Sequence, residues 1–165
     1  MEPFHQYIDE YKQQMEKGTI PKAYRGLLEY VMSLKTHIQS KHPDFFVSGS
    51  LYTGYMDMTY FSCMPKSLKE RHLKIAVVLI HHPLRFEVWL GGYNKQAQAQ
   101  YWKLFKESGW NQYNLVPTTQ GYDAILEHVL VEEPDFGNLD VLTSQIESGT
   151  LKFIEDVESF LRKNV

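Results

Sequence analysis

The strongest constraint on the fold is a pair of short apolar runs, residues 74–80 and 85–90, separated only by His81-His82-Pro83-Leu84. Both runs have strand length, and a four-residue connector between them predicts a β-hairpin. Successive side chains on a strand point to opposite faces. Ile75, Val77, Leu79, Phe86, Val88 and Leu90 therefore share one face, and Ala76, Val78, Ile80, Arg85, Glu87 and Trp89 share the other. The first set is wholly apolar and predicts the core side. The second carries charges among apolar neighbours.

The period changes on both sides of this hairpin. In residues 4–17, Phe4, Tyr7/Ile8, Tyr11 and Met15 recur at helical spacing, and Gly18 suits a left-handed helix end. Thr19 then reads as an N-cap with Pro21 in the first turn. A second helix follows over residues 20–40, with Tyr24, Leu27/Leu28, Val31, Leu34 and Ile38 on its stripe and His42-Pro43 closing it. Residues 44–51 and 55–63 read as strands. In the latter, Tyr55, Asp57, Thr59 and Phe61 share a face opposite Met56, Met58, Tyr60 and Ser62. Residues 65–73 form a polar, basic connection with room for one helical turn. Asn94 caps a helix to about residue 107, and Gly109 ends it.

Beyond that helix, residues 114–118 read as an edge strand, because Pro117 fits only an edge or a strand end. Residues 121–130 read as a short helix, and 139–146 and 151–162 as two closing helices broken at Gly149. The Gly-Thr pairs at 18–19 and 149–150 are taken as the same junction chemistry, not as a repeat. This order predicts a single α+β domain over residues 1–165. Its mainly antiparallel sheet of about four to five strands is flanked by N-terminal and C-terminal helices.

Composition excludes several classes. A chain of 165 residues with 17 Lys+Arg, 20 Asp+Glu and 43% hydrophobic residues is neither a disordered tail nor a basic nucleic-acid arm. A formal charge of −3 argues against nucleic acid as a partner. The basic run Lys66, Lys69, Arg71, His72, Lys74 reads as a solvated face. No apolar run reaches membrane-spanning length, so no membrane association is expected. The first residues lack a secretory signal pattern, and one cysteine, Cys63, excludes an intramolecular disulfide. Both point to the cytoplasm. The segment from Asp123 onward is acidic and the remainder basic, a split that fits two mutually attracting faces.

Dinucleotide, P-loop, H-E-x-x-H, G-x-S-x-G and EF-hand signatures are all missing, so no cofactor and no metal are expected. Cys63 reads as a buried, inert thiol. His81 and His82 occupy a turn, and His37, His42, His72 and His128 form no ligand spacing. The notable residues are Asp57 and Glu87, because carboxylates inside strands oppose β-propensity and need compensation. Pairing with neighbours accounts for them structurally. A shared cleft would make them a metal-dependent, nuclease-like hydrolase pair, though the lysine usual two residues after the second acid is Trp89 here. The glycine- and tyrosine-rich stretch 49–55 can wall a pocket. The candidate site is therefore Tyr55, Asp57, Arg85, Glu87, Trp89 and Tyr93, a polar-aromatic sheet face for a small polar ligand or a protein segment. That reading is a non-catalytic binding or regulatory module. The metal-dependent hydrolase using Asp57 and Glu87 is the alternative.

Three stretches carry a resemblance. They are Gly54-Tyr55-Met56-Asp57-Met58-Thr59-Tyr60-Phe61, then Arg85-Phe86-Glu87-Val88-Trp89-Leu90 with Gly92-Tyr93-Asn94-Lys95-Gln96, then Tyr101-Trp102-Lys103-Leu104-Phe105-Lys106. Over nearly its whole length the chain resembles an uncharacterised family of gut and soil bacteria, defined only as a domain of unknown function. The resemblance implies a single-domain cytoplasmic bacterial protein. It implies no activity, and no functional residue carries over from it.

Overall fold

The hairpin forms at the centre of the sheet. The structure, a computed structural model, describes residues 3–164. In chain order the elements are α1 (Phe4–Lys17), α2 (Thr19–Lys41), β1 (Phe46–Val47), β2 (Met58–Met64), α3 (Lys66–Glu70), β3 (Leu73–Ile80), β4 (Arg85–Gly92), α4 (Lys95–Ser108), β5 (Asn114–Leu115), β6 (Leu126–Val131) and α5 (Leu139–Asn164). β3 pairs with β4 over eight residues, from Leu73 opposite Gly92 to Ile80 opposite Arg85. All pairings are antiparallel, and the sheet order is β1-β2-β3-β4-β6-β5.

The two faces follow from alternation. Phe61, Ile75, Val77, Leu79, Phe86, Val88 and Leu90 are buried on one side, beneath α2 and α5. α2 supplies Tyr30, Val31, Leu34 and Ile38 to this core, and α5 supplies Leu142, Ile146, Phe153, Val157 and Leu161. Burying such side chains contributes about 1.5–3 kcal/mol each, so this layer holds the fold. Polar side chains link the α2 end of this layer to α5. Tyr30 Oη lies 2.9 Å from Thr143 Oγ1. His37 Nε2 and His42 Nε2 each lie 3.1 Å from a different oxygen of Glu147. Those two histidines, with no evident spacing along the chain, converge only because α5 crosses α2.

The α+β class, the antiparallel sheet and the flanking helices agree with the sequence reading. Four local expectations need correction. The sheet has six strands, not four to five. The extra one is β6, from the segment expected to be a short helix. Ile125 N–H donates to Leu90 O at 2.7 Å, so this segment satisfies the free edge of β4. Its alternation is hidden in the sequence because His128, on the helix-covered side, is polar. It sits between the rings of Tyr113 and Phe153.

The two closing helices are one 26-residue helix. Gly149 does not break it. A Cβ there would lie 2.7 Å from Leu130 Cδ2, so the glycine permits close helix–sheet packing. The shared junction chemistry therefore fails at 149–150. Gly18 does end α1, with φ 78°, and itself occupies the cap position of α2, while Thr19 is already helical. Finally, β2 begins at Met58, which leaves Asp57 in the preceding bend.

Candidate functional site

The second face of the sheet carries Met58, Tyr60 and Ser62 from β2, Lys74, Ala76, Val78 and Ile80 from β3, Arg85, Glu87 and Trp89 from β4, and Glu127 and Val129 from β6. It is only partly covered, and Tyr60, Ile80, Arg85 and Trp89 keep part of their surface open. Arg85, Glu87 and Trp89 come together as alternation requires. Glu87 is 5% exposed, and both its oxygens are engaged. Arg85 Nε donates to Oε2 at 2.7 Å and Trp89 Nε1 donates to Oε1 at 2.8 Å. Arg85 Nη1 reaches Glu132 Oε1 at 3.3 Å as well. The bond to Glu87 raises the Arg85 pKa still further, so the guanidinium stays charged.

Tyr55, Asp57 and Tyr93 do not join this group. Tyr55 is 91% exposed at the tip of the loop before β2, and Tyr93, just past β4, is 76% exposed. Asp57 Oδ1 accepts from Tyr55 N–H at 2.8 Å. That backbone bond, with a second from Met58, holds its carboxyl below the ordinary carboxylate range. Gly54 makes the turn possible with φ 72°; a Cβ there would lie 2.1 Å from Met58 O. Met58 pairs with Ile80 and Ile80 with Arg85, so Asp57 and Glu87 are two strands apart and offset by three residues. Strand spacing and rise then put their α-carbons about 14 Å apart. Among the described residues no group of three or more His, Cys, Asp or Glu side chains is placed to hold a metal ion.

A cleft of about 1080 Å³ opens on this face. Its floor is Tyr60, Ala76 and Trp89, and its walls are Tyr52, the start of α4 and the loop 119–123. Tyr52 pairs with Tyr60 through two backbone bonds, and their rings stack at 4.9 Å. Burial, with Tyr52 and Asp123 nearby, pushes the Tyr60 hydroxyl above its usual pKa. The charged groups around the cleft are Lys74, Lys95 and Asp123. Gly91 and Gly92 also line the cleft, and Gly92 N–H donates to Gln98 Oε1 at 2.7 Å.

A second depression of about 800 Å³ lies over Arg85, Glu87 and Glu127 beside residues 109–115. Burial, and then the charge of Glu87, raises the Glu127 pKa. Arg85 and Glu87 bond each other here, and Gln112 and Tyr113 both donate to Asp156. Of the sequence candidates, Trp89 alone lines the cleft. Tyr52 comes from the stretch 49–55 expected to wall a pocket, whereas Tyr60, Lys74, Tyr122 and Asp123 were missed. Alternation already placed Tyr60 on this side of β2, but nothing in the sequence aligned it with Trp89. Glu127 was hidden by the expected helix.

Residues 4–161 match the family described as Domain of unknown function (DUF7000). The chain belongs to this family. No curated protein and no solved structure matches the chain. The DUF7000 match runs from the start of α1 to Leu161 in α5, and so takes in the sheet face with its cleft as well as most of the helices behind it. The family description assigns no chemistry to either.

Proposed function

We propose that this DUF7000 protein is a non-catalytic binding module that holds a small polar ligand with a planar ring in the cleft over Tyr60 and Trp89. The observation that carries this reading is the stacked Tyr52–Tyr60 pair facing a cleft edged by Lys74, Lys95 and Asp123. Aromatic walls with a few convergent polar groups are the usual composition of a small-molecule site. Stacking on a ring supplies affinity, and the polar edge supplies orientation. The hydrolase alternative needs one cation within about 2.6 Å of both carboxylates. The separation of Asp57 and Glu87, and the engagement of Glu87 with Arg85 and Trp89, favour the binding reading.

The test is a thermal-shift and tryptophan-fluorescence panel of nucleosides, aryl carboxylates and amino acids on wild type and Tyr60→Ala. A ligand at 100 times its dissociation constant stabilises the folded state by about 2.7 kcal/mol. A shift in wild type that is lost in Tyr60→Ala supports the cleft. A ligand whose effect survives the substitution refutes it.

A further inference from the structure

Helix α1 is amphipathic, yet none of its residues is buried. Gln14 alone is half-buried; every other residue of the helix is exposed. Its partner within the chain is α2, joined to it through Gly18. The apolar stripe Phe4, Tyr7, Ile8, Tyr11 and Met15 remains open, with exposures from 39% at Ile8 to 75% at Phe4. A solvated helix normally pays out its apolar stripe against a core. Here the stripe has the period of a core-facing helix and no core to face.

We infer that this stripe is the contact surface for a second copy of the same chain, with the two α1 helices packed antiparallel about a two-fold axis. Three observations select that occupant. The first is area. Large side chains present about 200 Å² each when fully buried, so the open parts of these five come to about 550 Å² per copy. A two-fold pair then buries about 1,100 Å², just above the ~1,000 Å² that a specific interface needs.

The second is self-complementarity, which a two-fold contact demands. An axis passing between positions 9 and 10 sets Phe4 against Met15 of the second copy and Ile8 against Tyr11 of the second copy. Every residue of the 4-8-11-15 seam meets another apolar residue. The third is charge. Asp9, Glu10 and Glu16 are nearly balanced by Lys12 and Lys17 along the helix, so two copies side by side are not driven apart by a field of one sign.

The test is the mass of the full chain by light scattering on a sizing column, for wild type and for Ile8→Glu and Tyr11→Glu. Protein at about 100 µM is mostly paired for any dissociation constant of about 10 µM or tighter. Wild type is expected at twice the chain mass of 19.4 kDa, and both variants at that single mass. Glutamate is a good helix former and α1 is outside the core, so circular dichroism should be unchanged, and the variants should unfold at the temperature of wild type diluted until it is monomeric. A monomeric wild type would overturn the inference and leave the stripe to a different protein. A dimer that persists in both variants would overturn it as well, by moving the contact off α1.

Discussion

Trp89 donates its indole N–H to Glu87 at 2.8 Å from the same face of β4, two residues along. Arg85 closes the other side at 2.7 Å, so a buried carboxylate is held between two donors of its own strand. Both Glu87 oxygens are thus satisfied by donors of β4 itself. Replacement of Glu87 by Gln keeps one acceptor oxygen but turns the amide nitrogen toward the other donor, which is left without an acceptor. Glu87→Gln should cost roughly 2 kcal/mol and lower the unfolding temperature by about 4–8 °C. Calorimetry checks this, and a change under about 1 °C would mean that the Arg85–Glu87–Trp89 group contributes nothing to the fold.

Gly92 ends β4 against the first turns of α4. A Cβ at this position would lie 2.4 Å from Gln98 N and 2.7 Å from Gln98 Cα, both backbone atoms that cannot swing aside. Gly92→Ala should therefore destabilise by about 3 kcal/mol or more, a large effect for one methyl group. Gly91→Ala meets nothing closer than 3.3 Å and should be mild by comparison. Denaturant midpoints of the two variants measure the contrast, and equal midpoints would contradict this packing.

Glu147 joins the end of α2 to α5. Burial alone would raise its pKa, but the hydrogen bonds and charges of His37 and His42 together hold it below the ordinary carboxylate range. A depressed folded pKa stabilises above the unfolded value of about 4.3, and that stability is lost as pH falls through the folded value. Wild type should exceed Glu147→Gln by roughly 1 kcal/mol near pH 6 and converge with it near pH 3. Urea unfolding at the two pH values measures the difference, and a gap independent of pH would rule the carboxylate out as its source.

Cys63 lies on the covered face of β2, and burial pushes its thiol up to about 12. The thiolate is the reactive species, so a native sample should not be labelled by an aromatic disulfide reagent at pH 8, whereas a sample in denaturant should react at once. Fast labelling of the native protein would mean that β2 opens far more often than its burial implies.

Legibility followed the range of the interactions. The β3–β4 hairpin, α1, α2 and α4 were readable because each is specified by residues close in sequence: alternating apolar positions, the Asn94 cap at 2.8 Å from Ala97 N, and Gly18 and Gly109 in left-handed conformations. β6 was not readable. Val129 and Val131 favour a strand, but 121–130 also fits a helical period, and the free edge of β4 decided between them. Gly149 misled for a related reason. A glycine that ends a helix and one that admits a neighbouring leucine are the same letter, and only the position of Leu130 separates them.

The candidate site divides the same way. Arg85, Glu87 and Trp89 were grouped correctly, because strand alternation is local and periodic. Asp57 was not, because it has the parity of the core-facing Phe61 and the bend at residues 55–57 takes it out of β2 altogether. Tyr52, Tyr60, Lys74 and Asp123 meet Trp89 only through the register of β2, β3 and β4 and the return of the loop 119–123. By itself, then, the order of residues determined which segments are helix or strand where the pattern is local, which face of the central hairpin is buried, and that α1 carries an apolar stripe. Strand register, the packing of α5 across α2 and the closing of loops over the sheet decided the cleft, the Glu147 clamp and the bareness of that stripe. These depend on contacts between residues far apart in the chain, and such contacts leave no period in the sequence to read.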